Sequence, residues 1–319
     1  MTSSLLPVLM IVAGIAMIIV SSFLLTLAIE EIGRRGKFSD RLTGAVISPI
    51  FTSLPELTVI LIALVIVGRT SGSEIAAGTI IGEPFMVSAI GFPIVALTLL
   101  LARKKGKLEE IDGTLSKMLI FMGFVFPIIL IPHYVNSVSV RVFVAFLLVI
   151  LYLVFLKLVR GGKDFEEEAT NFKIKGSAAF VLILVVGMAL LLSGSSLLVA
   201  GIDNLSRQIG VNQELITILL VPLGTIVPET MNAVIWAHRG RTSLAIGAMV
   251  GEEIFFVTLY PVIGILASQW VITTDGILAV GLTSSFSVVL GLLTYRSKNA
   301  VYVFLFYLVS LAIFMYFIY

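Results

Sequence analysis

SPIFTSLPELTVILIALVIVGRTSGSEIAAGTIIGEPF (residues 48–85) and VPLGTIVPETMNAVIWAHRGRTSLAIGAMVGEEIF (residues 221–255) are two versions of one pattern. Pro49, Thr52, Pro55 and Glu56 match Pro222, Thr225, Pro228 and Glu229 at a single offset. After a shorter connection, Gly78, Gly82 and Glu83 match Gly247, Gly251 and Glu252, and GRTS recurs in both connections. Two ordered motifs, each at the same place in its half, mark an internal duplication. The repeated positions are polar or helix-breaking where plain packing would favour Leu and Val.

The sequence around these motifs belongs in lipid. Hydrophobic residues make up 59% of the chain and charged residues 13%, and the mean hydropathy is +1.13. A soluble domain carries roughly 25% charged residues on its surface, which this chain cannot supply. The apolar runs last about 20 residues and do not alternate, so they predict helices rather than barrel strands. Ten spans are expected, at 5–29, 43–68, 75–101, 115–132, 138–159, 176–201, 212–236, 243–268, 275–294 and 299–318. The first reads as a spanning helix rather than a cleaved signal, because no basic leader or small-residue cleavage site flanks it.

Charge supports this count. With loops after the first, third, fifth, seventh and ninth spans on one side, all 21 Lys and Arg residues except Arg69, Arg141 and Arg207 fall on that side. The positive-inside rule makes it cytoplasmic and sends both termini to the opposite face. The expected fold is therefore an all-α polytopic membrane protein of ten transmembrane helices, at the cell membrane. Residues 1–160 and 176–319 form two five-helix repeats, joined by a cytoplasmic linker at 161–175. Five is odd, so the second repeat is inverted, an arrangement common among secondary transporters.

The repeated residues suit ions. Each proline removes a backbone donor and clashes with the carbonyl four residues earlier, so the PxxxxxPE spacing predicts a loosened turn in spans 2 and 7. Thr52, Ser53 and Thr225 place hydroxyls in those turns. Glu56, Glu83, Glu229 and Glu252 lie at depths where an ionised carboxylate is costly and faces a partner or cavity. No Lys or Arg lies at comparable depth in these spans. Crowded together, four carboxylates need protons or a cation to relieve their repulsion. Their oxygens suit a hard cation such as calcium. Gly78 with Gly82 and Gly247 with Gly251 predict close helix approach. Glu253 points about 100° away from Glu252, at an entrance or toward another partner. His133 and His238 are isolated, at membrane edges.

At these motifs the chain resembles the calcium/cation antiporter superfamily, the sodium/calcium exchanger-like proteins. Their G-T-S-L-P-E type signature corresponds to Phe51–Glu56 and Leu223–Glu229, and their G-N-x-x-G-S-N signature to the degraded Gly78–Pro84 and Gly247–Glu253. The resemblance implies a secondary-active antiporter exchanging a divalent cation, calcium foremost, for Na+ or H+ by alternating access. Glu56, Glu229, Thr52 and Thr225 inherit ion-binding roles from it, with Ser53 in the same turn. Glu83 and Glu252 stand where the family often has a serine ligand. Thr79, Ala248, Pro84 and Glu253 replace its asparagines, so sodium sites and stoichiometry do not carry over. A cation channel, or an antiporter of magnesium or manganese, is the alternative. No nucleophile–base pair, nucleotide loop or nucleic-acid patch is present in the sequence, so no enzyme activity, cofactor or nucleic acid is expected. The expected partners are the transported cations and the bilayer, with no obligate protein partner evident.

Overall fold

The computed structural model describes residues 5–36, 53–68, 70–103, 113–159, 176–238, 242–297 and 301–318. These residues form helices α1 (Leu5–Gly36), α2 (Leu54–Ile62), α3 (Ser71–Met86), α4 (Phe92–Arg103), α5 (Gly113–Val125), α6 (Ile131–Tyr134), α7 (Val138–Val159), α8 (Ser177–Ile209), α9 (Gln213–His238), α10 (Thr242–Ala267), α11 (Thr274–Arg296) and α12 (Tyr307–Ile318). Short π or 3-10 turns join α3 to α4 and α5 to α6, precede α12, and extend α2 to Val67. Among the described residues, eight helical runs are long and apolar enough to cross a membrane. The shorter apolar stretches Leu54–Val67 and Gln213–Ile226 stand where the second and seventh spans are expected.

Packing follows the duplication. The helix α1 lies against α8, and α5 against α11, each pairing equivalent spans of the two halves. The contact of α10 with α7 is mirrored by that of the α3–α4 span with the segment leading into α12. This is the inverted-repeat arrangement of an all-α polytopic membrane fold. Large apolar side chains such as Leu9, Phe143, Val185 and Phe317 are exposed on its perimeter, the face a bilayer covers.

Glycines set the closest crossings. A Cβ on Gly14 would meet the Gly194 carbonyl at 2.7 Å, and one on Gly201 would meet the Ile11 nitrogen at 3.0 Å, so α1 and α8 touch backbone to backbone. At 32 and 33 residues, these helices reach about 48 Å, longer than the hydrocarbon zone requires. Gly78 and Gly82 press α3 onto α9, against Glu214, Thr217 and the Ile218 backbone. Among the described residues, nothing lies within 4 Å of the Gly251 Cβ position.

The prolines also behave unequally. Pro55 stands in the first turn of α2 after Ser53; Pro49 and Thr52, in the turn expected to loosen, lie outside the described residues. The expected break in span 7 is not found, because α9 continues through Pro222 and Pro228. Pro222 deprives the Ile218 carbonyl of its usual donor, and Gly82 packs directly over that peptide. Tertiary packing covers the defect. In the fourth span, Pro127 and Pro132 do interrupt the helix with a 3-10 turn, Phe126–Leu130. Gly291 leaves α11 intact and lets it approach Ser116 and Ile120.

The contact of Gly82 with Ile218 predicts the cost of a glycine substitution. Gly82→Ala is expected to destabilise the protein by about 1–3 kcal/mol, through overpacking against Ile218. Thermal unfolding in detergent checks this, and an unchanged midpoint would contradict the packing.

Candidate cation site

Three of the expected carboxylates converge. Glu56 is supplied by the first turns of α2, Glu83 by α3 and Glu252 by α10; their exposures are 0%, 1% and 9%. Glu56 and Glu252 lie within electrostatic range of each other, and Glu83 feels Glu56, Glu252 and Glu253. Among the described residues no Lys or Arg is buried, so no cationic side chain there neutralises the cluster.

Hydroxyls bind the halves together around it. Thr225 Oγ on α9 donates to Glu83 Oε2 at 2.9 Å and also lies 3.3 Å from the Val221 carbonyl. Neither Glu56 oxygen completes a hydrogen bond with a described residue, and the Thr225 hydroxyl and the residue's own peptide N–H lie close enough to interact with it. Glu83 Oε1 has no partner either. Each such oxygen, buried and unmatched, costs several kcal/mol unless something positive or hydrogen-bonding reaches it.

Ser53 is held by a residue not anticipated from the motifs. Tyr260 Oη, two turns beyond Glu252 on α10, lies 2.7 Å from both the Ser53 carbonyl and the Ser53 hydroxyl. The start of α2 is thereby fastened to the opposite half. Sequence offered one weak signal, a tyrosine deep in a span rather than in the interfacial belt where tyrosines collect. Glu253, expected at an entrance or toward another partner, is buried to 1% exposure and accepts from Ser88 Oγ at 3.4 Å. Its carboxylate joins the edge of the cluster. His133 is a loop anchor, accepting from the Ile272 N–H at 3.0 Å.

Two expected ligands cannot be located in this geometry. Thr52 lies outside the described residues, as does the side chain of Glu229, whose backbone is part of α9. Among the described residues, no three acidic or histidine side chains are gathered tightly enough to hold a metal ion. The described oxygens have the chemistry of a hard-cation site.

Removing the Tyr260 hydroxyl tests the link to α2. Tyr260→Phe is expected to lower stability by about 1–2 kcal/mol, by leaving a buried carbonyl under-satisfied. An unchanged thermal midpoint would show that Ser53 does not rely on it.

Comparison with known proteins is consistent with this geometry. The family model described as sodium/calcium exchanger protein matches residues 6–160 and 179–318. An uncharacterized membrane protein of Methanocaldococcus jannaschii, MJ0091, is 26% identical over 254 residues, which cover 76% of this chain and 75% of that one. The crystal structure of the H+/Ca2+ exchanger CAX superposes with a TM-score of 0.70 at 17% identity, covering 97% of this chain and 87% of the other. The sodium-calcium exchanger NCX_Mj gives a TM-score of 0.56 at 21% identity, covering 97% and 98%. The two superpositions show a shared fold.

Proposed function

The chain belongs to the sodium/calcium exchanger protein family and is a secondary-active cation antiporter, and from that premise we propose that it exchanges calcium for sodium ions or protons across the cell membrane. The observation that carries this is the burial of Glu56, Glu83 and Glu252, drawn from both halves, without a buried Lys or Arg among the described residues. Buried carboxylates in such surroundings need a mobile positive charge. A divalent cation supplies it in one step, and sodium ions or protons supply it in another.

In this scheme Glu56, Glu83, Glu252 and Glu229 form the central site. Thr225, Thr52 and Ser53 add neutral oxygens. The Thr225–Glu83 hydrogen bond orients one carboxylate and couples α3 to α9, so binding is felt by both halves. The halves are residues 1–160 and 176–319, with 161–175 and the other basic loops in the cytoplasm and both termini outside. Alternating access comes from α1 and α8, which pack on each other through Gly14, Gly194 and Gly201, moving as a pair across a core of α2, α3, α9 and α10. Calcium and the counter-ions compete for the same oxygens. An empty site would leave unpaired charge in a dry interior, so the transition is permitted only when loaded. That requirement is the coupling.

Purified protein in sealed vesicles tests the exchange. Calcium flux is expected to require an opposing sodium or proton gradient at clamped voltage, and equal flux without either gradient would indicate a channel. Parallel assays with magnesium and manganese set selectivity. Glu56→Gln should reduce calcium affinity by about a hundredfold or more, the upper range for losing an outer partner of a metal. Since protons and metal compete for the ligands, apparent calcium affinity should fall as pH is lowered. Glu83→Ser and Glu252→Ser should each change ion preference or pH response, and a wild-type profile in both would remove them from the site.

A further inference from the structure

The turn from α10 to α11, residues 268–273, lies on the face opposite the basic loops. Side chains from four elements distant in sequence fasten it. Arg141 on α7 donates to the Ser268 carbonyl at 2.7 Å and to the Gln269 carbonyl. The Gln269 N–H donates to Ser73 Oγ, at the start of α3, at 3.3 Å. The Ile272 N–H donates to His133 Nδ1 on α6 at 3.0 Å, and the Thr273 N–H to Glu214 Oε2 on α9 at 3.0 Å. Between them Trp270, 1% exposed, has a φ of +51°, left-handed backbone that a bulky residue rarely adopts. Its indole N–H donates to the Ile129 carbonyl at 2.8 Å. Such a residue persists only where its surroundings over-determine it, as these bonds do.

One of the acceptors can be switched off. A backbone N–H is always a donor, so His133 Nδ1 must be bare and the ring neutral, with its proton on Nε2. Protonation makes both ring nitrogens donors and sets N–H against N–H at Ile272. A hydroxyl keeps its lone pairs at any pH, and a carboxyl keeps a carbonyl oxygen when protonated, so Ser73 and Glu214 go on accepting. His133 is half-buried, within reach of protons from that face. The turn Phe126–Leu130, on which α6 packs, and residues 268–273 bring no titratable side chain to it. Helix α7 brings Arg141, and the Tyr134 ring stands edge-on at 4.8 Å. Glu214, within electrostatic range of Glu74 and Asp275, holds the far end of the turn.

We propose that His133 is a proton-operated latch on the α10–α11 turn, holding it when neutral and releasing it when charged. Imidazole is the side chain that changes charge between about pH 5 and 8, so acid on that face opens the latch and neutral pH closes it. The route to the cation site is short. A Cβ on Gly264 would meet both the Trp270 ring and Ile80, so the turn is wedged between α10 and α3. Ile80 is one turn before Glu83, and Gly264 one turn after Tyr260, which holds Ser53. Releasing the turn loosens both, and acid slows the transport cycle even when calcium saturates the site. That consequence rests on the exchange reaction proposed above; the latch itself does not.

Hydrogen exchange of the full-length protein in lipid nanodiscs tests the latch. Peptides covering residues 268–273 are read by mass spectrometry at about pH 7.5 and about pH 5.5, with intrinsic rates corrected for. Protection should fall at least about fivefold in acid. His133→Asn, whose side-chain oxygen accepts without titrating, should keep its protection in acid, and His133→Ala should lack it at both values. Self-exchange of radioactive for unlabelled calcium, at saturating calcium and equal pH on both sides of a vesicle, should follow the same order in turnover. Wild-type protection that ignores pH would overturn the latch, as would an Asn variant that loses protection in acid as the wild type does. An opened latch with unchanged turnover would overturn its control of transport. Absence of calcium exchange at either pH would instead defeat the exchange reaction, and the latch would stand or fall by its amide protection.

Discussion

A carboxylate placed in a membrane interior without a fixed positive partner governs this structure. Glu56, Glu83, Glu252 and Glu253 are buried, while no lysine or arginine is buried among the described residues. Glu214 provides the contrast. It too is buried, but both of its oxygens accept from the Thr273 N–H, at 3.2 and 3.0 Å, and it ties the start of α9 to the loop before α11. That carboxylate is answered by backbone. The central ones are answered in part by hydroxyls, and several oxygens by nothing among the described residues. A fixed arginine would stabilise the cluster and end its usefulness, because a permanently neutralised site has no call on a passing ion.

The inverted repeat brings such groups together from distant sequence. It brings Glu56 from α2, Glu83 from α3 and Glu252 from α10 to one buried cluster. Polar contacts then cross between halves: Thr225 to Glu83, Tyr260 to Ser53 and Ser88 to Glu253. Each joins a side chain to a partner more than a hundred positions away, so the site exists only when both halves are packed.

Much of this was legible in the sequence because it follows from one-dimensional physics. Hydropathy and loop charge located the spans, and the recurrence of P-E and G-x-x-x-G-E located Glu56, Glu83 and Glu252. What failed depended on neighbours. Pro222 signals a broken helix as strongly as Pro55 does, but Gly82 of α3 packs over the Ile218 peptide whose donor Pro222 removes, and α9 continues. Tyr260 looks like an ordinary aromatic residue of an apolar helix. Its importance comes from where its hydroxyl ends, opposite Ser53. The orientation of Glu253 was readable from the helical period, while its partner Ser88 was not, since the π turn shifts the register of everything after Met86.

Incomplete satisfaction is also what separates carriage from storage. A site whose oxygens were all met by protein donors would gain little from a cation, and one built as a closed rigid cage would release it too slowly to turn over. Here the supports are single hydrogen bonds from hydroxyls, worth about 1–3 kcal/mol each to a charged acceptor, and they are lodged on helices that belong to opposite halves. A cation drawn to Glu56 and Glu83 can therefore strengthen the contact between halves while bound and relax it on leaving. In the proposed exchange, the energy needed to bury the carboxylates is met mainly by the ion, and so the stability of the closed state becomes a function of which ion is present. In that sense selectivity and conformational change are one property of the same buried charges.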